Sequence, residues 1–162
     1  MDERRSSLRL RPAVVRTSNG DLHHLDLVVD GISIQTTMGH EGATTLNRVW
    51  MPSAWSPVDV FRGRAVDDLA GPGRLSLLTC SICADLECGA LTAALHIGPD
   101  QVAWSDFRWV TGYDDDLLLS QLPSPVRFDR AAYERELDQA AVVLETLPAK
   151  LLRPPRQRWW RR

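Results

Sequence analysis

Three runs decide the fold: Arg74–Cys80 (RLSLLTC), Ala90–Ile97 (ALTAALHI) and Gln101–Val110 (QVAWSDFRWV). Each is rich in apolar, β-branched or aromatic residues and bounded by turn formers, the signature of a strand. Gly98-Pro99-Asp100 separates the last two, and residues 81–89 separate the first two. A parallel crossover needs roughly a dozen residues or more, so these connections predict antiparallel neighbours in a meander.

Outward from that core, Leu25, Leu27 and Val29 alternate with polar positions, as do Ile32, Ile34 and Thr36 beyond Asp30-Gly31. Asp-Gly tolerates the positive φ that a two-residue turn demands, which predicts a hairpin over 22–36. Residues 38–58 carry Gly39, Gly42, Pro52 and Pro57 without a period and read as loop, with one helical turn at 44–49. Apolar residues at 58, 61, 65, 66 and 69 predict a short helix stopped by Gly71-Pro72-Gly73. The strongest element is a helix capped by Asp129 and running to about Leu147, with Tyr133, Leu137, Ala140, Ala141, Leu144 and Leu147 on one stripe. These elements predict an α+β domain: a mostly antiparallel sheet of about five or six strands, with the C-terminal helix packed on one face. Residues 1–20, Arg- and Ser-rich with Pro12 and the turn signal Asn19-Gly20, read as a loosely ordered segment. Residues 21–148 read as the domain, and 149–162 as a basic Arg/Trp tail.

The chain has 162 residues, 44% hydrophobic and 25% charged, as in an ordinary globular domain. It shows no apolar run of membrane-spanning length and no signal-peptide core, so the expected location is the cytoplasm. The formal net charge is −2, and Arg153, Arg156, Arg158, Arg161 and Arg162 crowd the last ten residues, which leaves the rest of the chain more acidic still. Such a body argues against specific nucleic-acid binding. The tail, through Arg156, Arg158, Trp159, Trp160, Arg161 and Arg162, is suited to weak contact with an anionic surface, or is simply a frayed terminus.

Cys80, Cys83 and Cys88 form C-x2-C-x4-C across the connection between the first two strands. A compact reversal there would hold three thiols close together, and zinc takes four ligands in a tetrahedral shell. His96 falls at the far end of its strand, some seven residues or roughly 23 Å away. His40 is the better fourth ligand, with Asp85 or Glu87 as oxygen donors. Two other readings stay open. Small, weakly polar cysteines pack well in a tight turn, which gives no cofactor at all. Alternatively, Cys80 and Cys83 serve a thiol-dependent redox enzyme, although the residues after Cys83 leave no room for the helix that usually lowers such a thiol's pKa.

The stretch Leu77-Leu78-Thr79-Cys80 through Cys88-Gly89-Ala90, followed by Val102-Ala103-Trp104-Ser105-Asp106-Phe107, resembles an uncharacterised, mainly actinobacterial protein family. That family has a Cys-rich C-G-D-x-x-C-G turn, then V-x-W-x-D-F, then a terminal helix opening with an aromatic and Tyr. The matching positions are Cys83, Asp85, Cys88, Gly89, Val102, Trp104, Asp106, Phe107, Phe128 and Tyr133, with Ala84 in place of glycine. The resemblance implies a shared fold and transfers no activity.

Alternation in 101–110 puts Trp104, Asp106 and Arg108 on one face and Phe107 and Trp109 on the other. If the latter meet the helix, Trp104, Asp106 and Arg108 form a partly exposed patch of residue types favoured at protein interfaces; the other reading is that the 38–58 loop covers Trp104. His23 and His24 read as solvated surface, and Asp114-Asp115-Asp116 as a solvated turn. Gly71-Pro72-Gly73-Arg74 lacks the Lys-Ser/Thr of a phosphate loop. The expected function is a small binding or protein-interaction module, immunity-like or accessory, whose partner is another protein.

Overall fold

The computed structural model describes residues 3–38, 42–50, 56–80, 89–111, 117–118 and 124–153. The chain is α+β, with two antiparallel sheets and a C-terminal helix. The first sheet has the order β1 (Leu8–Thr17), β2 (Gly20–Val29), β3 (Ile32–Ser33). The second contains β4 (Gly42–Ala43), β5 (Arg74–Cys80), β6 (Ala90–Ile97) and β7 (Gln101–Val110) in sequence order. Along the outer edge of β7 lie β8 (Leu117–Leu118), at Arg108 and Trp109, and β9 (Val126–Asp129), at residues 101–104. Two short helices, α1 (Ile34–Met38) and α2 (Pro57–Phe61), precede the long α3 (Arg130–Thr146).

The expected meander β5–β6–β7 is present in antiparallel register. The Asp129 carboxylate caps α3 by accepting the Ala132 N–H at 2.9 Å, and Tyr133, Leu137, Ala140 and Leu144 face the core. Glu136 is buried with them. Its carboxylate accepts the Leu10 N–H at 2.7 Å and meets Arg9 at 3.1 Å, which ties the helix to β1. Arg48 reaches the other end and donates to the carbonyls of Glu145 and Leu147.

Four local expectations are corrected. Residues 8–17, read as loosely ordered, form a ten-residue strand paired along its length with β2, so the fold begins well before Asp21. Leu8 and Leu10 are buried while Arg9 and Arg11 stay out, an alternation that the arginine content obscures. Leu10 gives its N–H to Glu136, away from β2, so Pro12 two residues on falls where an outward N–H is dispensable. Second, the Asp30-Gly31 turn has both positive φ values expected of it, 51° and 83°, but its return strand is only Ile32–Ser33 before α1 begins. Third, α2 ends at Phe61 rather than near 69. Gly63 at φ 71° breaks the helix, and the Asp67 carboxylate then folds the following loop by accepting from Leu69 N, Ala70 N, Ser76 N and Ser76 Oγ. Fourth, residues 44–49 form no helical turn. They run beside β2, with Leu25 N donating to Leu46 O at 2.9 Å and His24 bridged to Asn47.

The core centres on Trp104, which is 0% exposed and packed edge-on against Phe61, Phe128 and Tyr133. Its indole Nε1–H donates to the Tyr133 hydroxyl at 3.3 Å, and that hydroxyl donates to the Phe61 carbonyl at 2.9 Å. A β-bulge makes this possible. The register passes from Thr92↔Arg108 to Ala94↔Ser105, so Asp106 and Phe107 together oppose Ala93. Asp106 takes φ 49°, and the extra residue turns both Trp104 and Phe107 toward the core.

Candidate functional site at one end of the six-stranded sheet

Successive antiparallel pairing brings five strand ends to one edge of the molecule. Gly42 lies opposite Cys80, Thr79 opposite Ala90, Ala90 opposite Val110 and Trp109 opposite Leu117. The end of β5, the start of β6, the end of β7 and the start of β8 therefore adjoin, with the start of β4 beside them. Thr79 Oγ1 donates to the Ala43 carbonyl and fastens β4 there.

Cys80, the last residue of β5, is partly buried at this end. Cys83, Cys88 and His40, the other expected zinc ligands, lie outside the described residues, as do Asp85, Glu87 and Asp114 to Asp116. Among the described residues, no group of three His, Cys, Asp or Glu side chains is arranged to hold a metal ion. His96 stands where expected, two residues past the Ala94–Arg74 pair at the opposite end of β5, with its Nε2 3.1 Å from Ser105 Oγ.

Gly89 fixes the return of the cysteine connection. Its φ is 86°, and a Cβ there would stand 2.3 Å from Trp109 Nε1. The backbone entering β6 thus rests on the indole so closely that only glycine fits.

The expected patch of Trp104, Asp106 and Arg108 is split by the bulge. Trp104 is in the core and presents nothing to a partner, because strict alternation fails at Asp106. Asp106 and Arg108 do share the outer face, with side chains 38% and 40% exposed. Arg108 Nε donates to both Asp106 carboxylate oxygens at 3.0 Å, and Arg74 donates to the Asp106 carboxylate, the Asp106 carbonyl and Thr92 Oγ1, each at 2.9 Å. The bonds from Arg108, reinforced by Arg74, hold the Asp106 carboxyl below the usual aspartate range.

The C-terminal segment does not leave the domain at 149. Leu152 exchanges both backbone hydrogen bonds with Asp21, at 2.7 and 3.0 Å, and Gly20 at φ 136° admits Leu151 and Leu152 where a Cβ would crowd them. Arg156, Arg158, Trp159, Trp160, Arg161 and Arg162 lie outside the described residues.

His24 is the residue that sequence reasoning misplaced. It is fully buried. Its Nδ1 accepts the Thr44 N–H at 3.2 Å, while Thr44 Oγ1 donates its own proton to the Leu25 carbonyl at 2.6 Å. Nδ1 being an acceptor, the ring proton resides on Nε2, for which no partner is present among the described residues. That tautomer has no lone pair left for a metal. Burial lowers its pKa from the ordinary histidine value. The available signal was the pair itself: adjacent strand residues point to opposite faces, so one of His23 and His24 had to face inward.

Among the described residues, no helix is long and apolar enough to cross a membrane. Neither a protein-family model, nor a curated protein, nor a solved structure matches the chain.

Proposed function

We propose that this protein is a protein-binding module whose interaction edge is the gathered end of the six-stranded sheet, shaped by a structural zinc ion on Cys80, Cys83, Cys88 and His40. The observation that carries this reading is the pairing of Cys80 with Gly42 beside that of Thr79 with Ala90. Covalent geometry then bounds the tethers. At 3.8 Å per residue, His40 is at most about 7.6 Å along the chain from Gly42, Cys83 about 11 Å from Cys80, and Cys88 about 7.6 Å from Ala90. The described residues from which the four candidate ligands are reached thus lie on adjoining strands, which supports the reading. A shell of three thiolates and one imidazole is closed, leaving no coordination position for a substrate, so it serves shape rather than turnover. The outward Asp106–Arg108 face adds a charged surface for another protein.

Metal analysis of the full chain, purified without chelator, tests the reading. One zinc per chain is expected, with loss of at least half of it in Cys83→Ser and in His40→Ala. Absence of zinc, together with a Cys80 or Cys83 thiol alkylated rapidly at neutral pH, would overturn it in favour of thiol redox chemistry. Absence of zinc with inert thiols would leave the cysteines as packing residues.

A further inference from the structure

The buried ring of His24, on β2, is bonded to Thr44, the residue that follows β4. We infer that His24 is a proton-operated clasp, holding residues 42–47 against β2 while its ring is neutral and releasing them when the ring is protonated.

The geometry gives the reason. Nδ1 accepts the Thr44 N–H, so a proton added at Nδ1 sets donor against donor. Thr44 Oγ1 is also 3.2 Å from Nδ1 but already accepts from Leu46 N and donates to Leu25 O, and although the Leu25 carbonyl favours the protonated ring, burial acts against it more strongly. The cation would moreover be buried. Charged groups around the ring are few. On its own strand, Asp26 favours the cation and His23 opposes it. On β1, Ala13 lies beside His24, and Arg11, two residues away on the same face, is exposed. In the segment opposite, Thr44, Leu46 and Asn47 carry no charge, and Arg48 is engaged with the carbonyls at the end of α3. Burial therefore dominates.

Protonation is resisted in the fold and free in the unfolded chain. The stability that neutral His24 supplies is fully present above pH 6.5, its ordinary value, and is lost as pH falls from there toward the lower folded value. The clasp bears on the proposed binding edge, because β4, which it anchors, pairs with Cys80. Its test does not read zinc, so the two ideas fail separately.

The experiment measures folding equilibria of the full chain by urea denaturation from pH 7.5 to 5, and amide exchange by NMR. In the wild type the folding constant should fall by up to tenfold per pH unit below 6.5, the limit for one proton. His24→Asn, whose amide oxygen can accept from Thr44 without titrating, should lose that slope. At pH 5.5 the Thr44 and Leu25 amides should exchange through an opening easier than global unfolding, so that their protection lies well below that of α3 amides, which should fall no further than the folding constant does. An equal slope in both proteins, or protection at Thr44 as high as that of α3 at pH 5.5, would overturn the clasp. Should the variant not fold, the wild-type ring titration decides: a His24 value at or above 6.5 in the folded chain refutes it.

Discussion

Replacing Tyr133 by Phe removes one oxygen from the middle of the core and disturbs two hydrogen bonds at once. The Tyr133 hydroxyl accepts from Trp104 Nε1 and donates to the Phe61 carbonyl, and all three residues are buried. Water cannot replace the hydroxyl without opening the ring cluster, so an indole N–H and a carbonyl are both stranded. Each stranded group costs about 1–3 kcal/mol. The 3.3 Å bond from Trp104 belongs at the low end, and the cavity left by one oxygen adds little. The sum is about 2–4 kcal/mol, which for a chain of this size lowers the melting temperature by about 4–16 °C. Urea denaturation followed by tryptophan fluorescence and far-ultraviolet circular dichroism measures it, with an unchanged m-value as the sign that only stability moved. Val142→Ala, on the exposed side of α3 at 68% exposure, is the control and should stay within about 0.5 kcal/mol. If Tyr133→Phe cost no more than Val142→Ala, the hydroxyl would not be bridging Trp104 to α2, and the account of why Trp104 is buried would be wrong.

Two further outcomes are expected. Gly89→Ala should cost at least about 2 kcal/mol, from the left-handed backbone alone and then from displacement of the Trp109 indole. Gly71→Ala, at φ 83° with nothing near its missing Cβ, has only the backbone cost, so equal thermal midpoints for the two variants would contradict the Gly89–Trp109 contact. Truncation after Arg153 should leave the thermal midpoint unchanged while abolishing any sedimentation with anionic vesicles at low salt. Truncation after Pro148 should also destabilise the fold, by removing the Leu152–Asp21 pairing. Vesicle binding that survives the first truncation would remove the tail from consideration.

The parts of the fold legible in the sequence are those set by neighbours along the chain. The meander needs only alternating apolar residues and short connections, and α3 needs only a capping Asp129 and a 3.6-residue stripe. What escaped was set by neighbours far away. Arg9, Pro12 and Arg16 make β1 read as loose, whereas a helix carboxylate 126 residues on, Glu136, covers its outer edge. Asp106 carries no mark of a bulge, since glycine is the residue expected there, and its positive φ is held by Arg74 and Arg108 instead. One missed bulge was enough to place Trp104 on the same face as Asp106 and Arg108, where only a covering loop could have buried it. The cysteine spacing was visible, as was the reversal that carries it, but the approach of Gly42 to Cys80 was not, because residues 38–58 have no periodicity to read.

Strand β2 shows why alternation misled at His24 in particular. Leu22, His24 and Val28 are buried on one face of the strand and Leu25 and Leu27 on the other, so from His24 onward both faces are covered. A strand does this when different structures cover its two faces. Here Leu25 and Leu27 belong to the main core, whereas the first half of β2 is bordered by Leu152 at Asp21 and by residues 44–47 at His24. Right-handed twist along the hairpin carries each face past both environments. His24, on the face turned away from Leu25 and Leu27, is covered without being part of the apolar cluster, and it keeps a polar contact to a neighbouring backbone. Substituting an apolar residue of similar size, as in His24→Leu, would fill the space but strand the Thr44 N–H, whereas His24→Asn preserves its acceptor. The difference in stability between those two variants at neutral pH therefore isolates the backbone bond from the packing, and an advantage for leucine would mean that the junction is held by burial alone.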